Sequence, residues 1–358
     1  NIAIDSNILE YLAVKLFQIS KGKPRTFFIL LIFLTTFLAA TINDVVVIII
    51  LAPVIIRLCH HLKIKAGTYL AGMTFSVKIG SIITPFASSE NIIIATHFNL
   101  DTLYFIQNFW FFSFFLLFVT IFLMDNIILR KEPVIDPRQK EFMLELIDKD
   151  VLIKNRKLFY LNSIAIAIII TLFLILPALY LTAAISALIL ILINKKFTKL
   201  SLREMLKHIE WDIIFFLISL YVIVGGILEA GFGELFLQIP FETLNPLLLY
   251  FLLLIIISFM SAFVANTPTT LIFIPIIEAL ISAGLSVIPL FIIFVFGIHL
   301  GGNLVPQGAA AHITTLNIAE RKGVSNLNYR RLLKIGALLT TVHLLLILGY
   351  VYVLVLIF

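Results

Sequence analysis

Cysteine is nearly absent. Cys59 is the single one in 358 residues, which excludes a disulfide framework and a thiolate metal cage. Charge is almost as scarce: 13% of residues are Asp, Glu, Lys or Arg, about half the share of a soluble domain. H-E-x-x-H, G-x-S-x-G and a paired-aspartate motif are all missing, so no enzyme chemistry is legible. A short cleavable signal ending in a small-residue site is missing too. What the chain has instead is apolar surface: 61% hydrophobic residues and a mean hydropathy of +1.12. A soluble fold could not hide that much, so an all-α polytopic membrane protein is expected. The net charge of +6 then reads as lipid topology and not as a nucleic-acid footprint.

Polar residues interrupt the apolar runs at particular places. Phe37–Pro53, FLAATINDVVVIIILAP, sets Asn43-Asp44 between two runs of about 15 residues, each shorter than the roughly 20 needed to span. This predicts a re-entrant hairpin. The same pattern returns at Phe259–Pro275, FMSAFVANTPTTLIFIP, at an offset of 222, with Asp44 on Asn266 and Pro53 on Pro275. Its tip is expected at Asn266-Thr267-Pro268. Gly80–Asn91, GSIITPFASSEN, aligns with Gly301–His312, GGNLVPQGAAAH, at an offset of 221. Each is expected to be the unwound centre of a broken helix, over 84–90 and 302–309. Two motifs recurring in one order at one spacing predict two related halves.

Between these lie an amphipathic, interfacial segment over 1–20, spans at 102–129, 158–176, 178–193, 211–228 and 332–357, and a basic connector over 195–210. The first repeat is residues 1–129, a polar cytoplasmic loop is 130–157, and the second repeat with its scaffold helices is 158–358. Threading by the positive-inside rule leaves Lys78 as the one Lys or Arg within the membrane. The two hairpins then enter from opposite faces, which predicts two inverted-topology repeats, each with a re-entrant hairpin and a broken helix. Span 211–228 precedes Glu229-Ala230-Gly231, whereas nothing precedes Asp5-Ser6-Asn7. At least one further upstream helix is therefore expected, as the start at Asn1 instead of Met also suggests.

Non-helical backbone at membrane depth is tolerated only where protein or a watery cavity receives it. The exposed helix ends offer N–H groups to anions and carbonyls to cations. Asn43, Asn266 and Thr267 are the expected solute ligands, with Asn303 as a backbone-orienting ligand. The intramembrane ionisable residues Asp44, Lys78, Glu90, His299 and His312 are the candidate coupling groups. Lys78 pairs with Asp44 or Glu90 either as a structural ion pair or as an acid–base pair that carries protons. The histidines are either neutral core residues or part of that relay. Asp125, within reach of Arg130, and mid-span His343 read as structural. Gly225-Gly226, more than Gly301-Gly302 or Gly308, reads as a close-packing site.

EYLAVKLFQISKGKPR, AATINDVVVIIILAPVIIRLC and GGNLVPQGAAAHITTLNIAERKG resemble the ion transporter superfamily, which includes arsenite pumps, the melanosomal P protein, sodium/proton antiporters and citrate/dicarboxylate carriers. The resemblance covers nearly the whole chain and implies a scaffold plus a two-hairpin transport domain, elevator motion and a homodimer. The family's binding motifs fall on Thr41, Asn43, Asp44, Thr84, Pro85, Glu90, Asn91, Asn266, Thr267, Asn303 and Gln307. The chain departs from the family where Ala87-Ser88-Ser89-Glu90-Asn91 stands for Gly-Asn-Pro-x-Asn, and at His312, where relatives often carry Asn.

The expected function is secondary active transport of a small oxyanion or arsenite across the cell membrane, coupled to H⁺. A Na⁺/H⁺ antiporter using Asp44 and a passive anion channel are the alternatives. No cofactor is expected beyond transported H⁺ or Na⁺, and the expected partners are the solute, the bilayer and a second copy.

Overall fold

A computed structural model describes residues 8–61, 63–131, 155–176, 179–194, 211–230 and 245–357. Most of the 130–157 loop, the 195–210 connector, and most of the acidic segment after span 211–228 lie outside these residues. The described residues hold fourteen α-helices and no strand. In chain order they are α1 (Ile8–Ile19), α2 (Pro24–Ala39), α3 (Asp44–His61), α4 (Ala66–Gly80) and α5 (Ser89–His97). There follow α6 (Thr102–Ile127), α7 (Arg156–Ile175), α8 (Leu179–Asn194), α9 (Trp211–Glu229) and α10 (Pro246–Val264). The last four are α11 (Asn266–Ser282), α12 (Val287–Gly301), α13 (Ala310–Arg321) and α14 (Tyr329–Ile357). Among the described residues, Thr102–Ile127, Arg156–Ile175, Pro246–Val264 and Tyr329–Leu356 are long and apolar enough to cross a bilayer.

Helix starts follow the local chemistry. Pro24 and Pro246 take the first turns of α2 and α10, where a missing N–H costs nothing. Asp101, Asn155 and Asn245 cap α6, α7 and α10 by accepting from Tyr104, Leu158 and Leu247 backbone N–H groups. Pro53 and Pro275 sit inside α3 and α11 at equivalent positions. Each removes one rung of the helical ladder.

The chain divides into two compact units. The first contains α1–α4, α6–α8 and α13; the second contains α5, α9–α12 and α14 from Leu333 onward. Each broken helix therefore gives one half to each unit.

In the first unit α4 is the centre, with every residue buried. α2 packs along it, and α3 packs on both α4 and α13. Gly72 leaves room for the Phe28 ring, and Gly80 for the Thr36 carbonyl. Thr35 Oγ1 lies 2.6 Å from Ser76 Oγ, fixing α2 to α4. Asp125 has Arg130 within reach at 3.9 Å, as expected, and also takes both the Nε and Nη2 of Arg25. The loop after α13 is clamped to the start of α4: Gly67 N–H donates to Asn326 Oδ1, and Arg331 donates to the Asn326 carbonyl and Thr68 Oγ1. α7 and α8 are held by reciprocal amide bonds between Asn162 and Asn194, both buried.

In the second unit α12 is the buried centre. α10 packs along it and α11 packs on α12 and α5. Gly301 leaves room for the Ser258 backbone and Gly297 for Ile257. Gly80 and Gly301 are equivalent by the 221 offset, and Thr36 and Ser258 by the 222 offset. Each unit thus makes the same backbone-to-backbone approach.

Two expectations are corrected. The second hairpin does not turn at Asn266-Thr267-Pro268, which form the first turn of α11. It breaks at Ala265 alone, with φ 79° and ψ 163°. Asn266 and Thr267 read as a tip because they are polar, but the preceding backbone carries the turn. Among the described residues, Gly225-Gly226 makes no close packing contact, since a Cβ at either glycine meets none of them within 4 Å.

Ala265 is strained, because an L residue in that region costs about 1–3 kcal/mol. Ala265→Gly should therefore raise thermal stability by about 1 kcal/mol after glycine's extra unfolded-state entropy. A thermal-shift measurement in detergent checks this, and a lower midpoint would rule out strain at this residue.

Candidate functional site

The residues singled out in the sequence fall into two polar clusters, one inside each unit.

In the first unit, α2 ends at Ala39 and α3 begins at Asp44. Asn43 and Asp44 act as local caps, their Oδ1 atoms accepting from Val45 N–H at 3.0 and 2.8 Å. This leaves Asp44 Oδ2 free to meet Lys78 Nζ at 2.7 Å, with the two side chains 7% and 4% exposed. Lys78 thus takes Asp44, in the first unit, as its acid. Removing one member of such a buried pair costs about 3–5 kcal/mol, because the other charge is stranded in low dielectric.

Thr84, in the break after α4, donates to the Ala40 carbonyl at 2.6 Å and so binds the broken helix to the hairpin. Pro85 is buried beside it, Thr41 is half-buried, and Asn43 is exposed. His312 on α13 is fully buried, edge-on to Phe75 with ring centroids 5.1 Å apart. It lies within the field of the Lys78 ammonium, and neither ring nitrogen has a hydrogen-bond partner. One turn along, Thr315 Oγ1 meets Thr74 Oγ1 of α4 at 2.8 Å.

In the second unit, Asn266 starts α11 and is buried. Ser261 Oγ lies 2.8 Å from Asn266 Oδ1 and 2.6 Å from the Ile298 carbonyl, which ties the hairpin to α12. Gly302 has no side chain where Asn266 Oδ1 passes. His299 Nε2 lies 2.9 Å from Asn91 Oδ1, joining α12 to α5. Glu90, 7% exposed in the first turn of α5, accepts from Thr267 Oγ1 and from Ser89 Oγ, each at 3.3 Å. Those two hydroxyl oxygens are themselves 3.2 Å apart. Asn303 is buried and its amide has no hydrogen-bond partner, whereas Gln307 is exposed.

Each hairpin thus meets a broken helix within its own unit. Thr41, Asn43, Asp44, Lys78, Thr84, Pro85 and His312 belong to the first unit. Glu90, Asn91, Asn266, Thr267, His299, Asn303 and Gln307 belong to the second. Sequence reading passed over Ser89 and Ser261, whose hydroxyls complete the second cluster. Both are small residues that look like helix-packing positions; the signal that marks them is adjacency to a buried polar residue, Ser89 to Glu90 directly and Ser261 to Asn266 across the break. His343 on α14 is buried and is not placed in either cluster.

Buried ionisable residues gathered at helix breaks, in a chain of apolar helices, define a helical membrane protein that handles a polar solute. A family model described as citrate transporter matches residues 1–297, and the chain belongs to that family. It is 24% identical to an uncharacterized transporter of Mycobacterium tuberculosis, over 97% of this chain and 81% of the relative. An uncharacterized transporter of Methanocaldococcus jannaschii is 23% identical, over 98% of this chain and 85% of its own length. The arsenical pump membrane protein of Escherichia coli is 23% identical, over 90% of this chain and 76% of its own length. The chain is a multi-pass membrane protein and a transporter.

Proposed function

We propose that the chain is a proton-coupled secondary active transporter that moves a small oxyanion or arsenite across the cell membrane, by an elevator-type motion and as a homodimer. Two inverted-topology repeats, each with a re-entrant hairpin and a broken helix, supply the machinery. The observation that carries the choice of proton is the Lys78–Asp44 contact at 2.7 Å. A sodium ion bound at Asp44 must first displace the Lys78 ammonium that already neutralises it, so the carboxylate a Na⁺/H⁺ antiporter would use is taken. The matched glycine contacts and matched proline positions support the repeat. Asn43, Asn266, Thr267 and Asn303, with Thr41, Thr84, Pro85, Asn91 and Gln307, are the solute-facing set in this reading. Asp44, Lys78, Glu90, His299 and His312 are the coupling set. The names of the relatives support an anionic or arsenical solute.

The test is uptake into proteoliposomes with citrate, phosphate and arsenite as probes, and with pH and Na⁺ gradients imposed separately. A gradient of one pH unit should drive uphill accumulation of at least one probe by up to about tenfold per coupled proton. Equilibration without accumulation would make the protein a channel. Accumulation driven by Na⁺ alone would remove the proton from the mechanism.

A further inference from the structure

We infer that Glu90 is the group that binds the coupling proton, one per transport cycle, and that Lys78–Asp44 stays paired throughout. The inference rests on the proton-coupled reading above and chooses among its candidate groups.

The repeat register allows the two clusters to be compared position by position. Asp44 corresponds to Asn266, Lys78 to His299, and His312 to Asn91. Where the first unit has an ion pair between hairpin and broken helix, the second has neutral amides and an imidazole, with His299 bound to Asn91. Glu90 breaks this correspondence, since its equivalent position is Ala311. It is a buried carboxylate added to the otherwise uncharged cluster. No ion pair among the described residues includes it, although Lys78, Arg25 and Arg130 all pair with carboxylates.

Protonation affects the two acids differently. A proton on Asp44 leaves the Lys78 ammonium buried without its counter-ion. A proton on Glu90 leaves no charge behind and removes one from low dielectric. The neighbours of Glu90 suit both states. Ser89 and Thr267 hydroxyls donate to the carboxylate, and by rotating they accept from the O–H of the acid, so neither state has an unsatisfied oxygen. The step balances as one carboxylate plus one proton giving one carboxylic acid.

Thr267 lies two residues after the strained Ala265. Protonation therefore replaces a charge-assisted bond between α5 and the hairpin by a weaker neutral one. Proton binding and the hold on the hairpin are thus one event. The other titratable groups on α5 and the helices that pack with it are His97, which is 3.5 Å from Glu278 of α11, and His299 of α12, which is held by Asn91.

The test uses infrared difference spectra of the purified full chain in detergent, recorded across a pH titration. One buried carboxylic-acid carbonyl band should titrate. It should vanish in Glu90→Gln and persist in the double variant Asp44→Asn/Lys78→Met. In Thr267→Val, which keeps the carboxylate but removes a donor to its charged form, the band should persist to higher pH, a roughly threefold or larger gain in proton affinity. A band lost in the double variant but kept in Glu90→Gln would overturn the assignment, as would no band at all. If the Glu90 band titrates but no probe responds to an imposed pH gradient in proteoliposomes, the proton site stands and the transport reading fails.

Discussion

Lys78→Met should destabilise the protein by about 3–5 kcal/mol, and Asp44→Asn by a similar amount, while the two together should cost far less than the sum. Both side chains are buried and the contact is 2.7 Å. Either single change removes this 2.7 Å contact from the charge that remains buried. His312 cannot take over the role of Asp44, because a neutral imidazole does not compensate an ammonium and a protonated one repels it. In the double variant neither charge remains, and methionine fills the volume of the lysine stem. The diagnostic quantity is the interaction term of the cycle, read from detergent thermal shifts or urea midpoints, and it should exceed about 2 kcal/mol. Additive losses would mean that the two side chains do not share a buried contact. The same cycle read by transport asks a different question. If the pair is a fixed charge-neutral strut, the double variant should keep its response to an imposed pH gradient.

Much of this organisation is legible in the sequence because lipid makes polar residues costly. Asn43-Asp44, Thr84–Glu90 and Asn303–His312 stand out against apolar surroundings and lie at or beside helix breaks, although the first break runs over 81–88, earlier than the expected 84–90, with Ser89 and Glu90 already in α5. Pro53 and Pro275 mark the second helix of each hairpin for the same reason. What was not legible depends on contacts that the local chain does not encode. Ala265 is apolar and a helix former, so nothing in its identity announces a left-handed backbone; Asn266 drew the eye instead. Asp125 has Arg130, its neighbour in sequence, within reach, but its second partner Arg25 lies 100 positions away and is not legible locally. That α5 clusters with the second unit and α13 with the first was not legible either, since periodicity shows which faces are apolar but not which helix covers them. The glycines misled in the opposite direction. Gly225-Gly226 reads as the stronger packing motif but meets none of the described residues, whereas Gly80 and the less favoured Gly301 sit against backbone.

Those two glycines carry the second large effect. Gly80→Ala and Gly301→Ala should each cost more than about 3 kcal/mol, at or beyond the upper end for overpacking, because the obstruction is main chain and not a side chain that can rotate away. A Cβ at Gly80 overlaps the Thr36 carbonyl, with the carbonyl carbon at 2.9 Å; one at Gly301 meets Ser258 O at 2.5 Å and its carbon at 2.8 Å. Relief would require α2 to withdraw from α4, or α10 from α12. That would pull Thr35 off Ser76 in the first unit and Ser261 off Ile298 in the second. Gly225→Ala is the control. Its Cβ meets nothing within 4 Å, so removing a helix-interior glycine there should stabilise by about 0.5–1 kcal/mol. Thermal shifts of the three variants check the set. Comparable losses at Gly80 and Gly301 are what two copies of one hairpin-on-helix packing require. A tolerated alanine at one of them would mean that the equivalence read from the 221 and 222 offsets does not extend to how closely the helices approach.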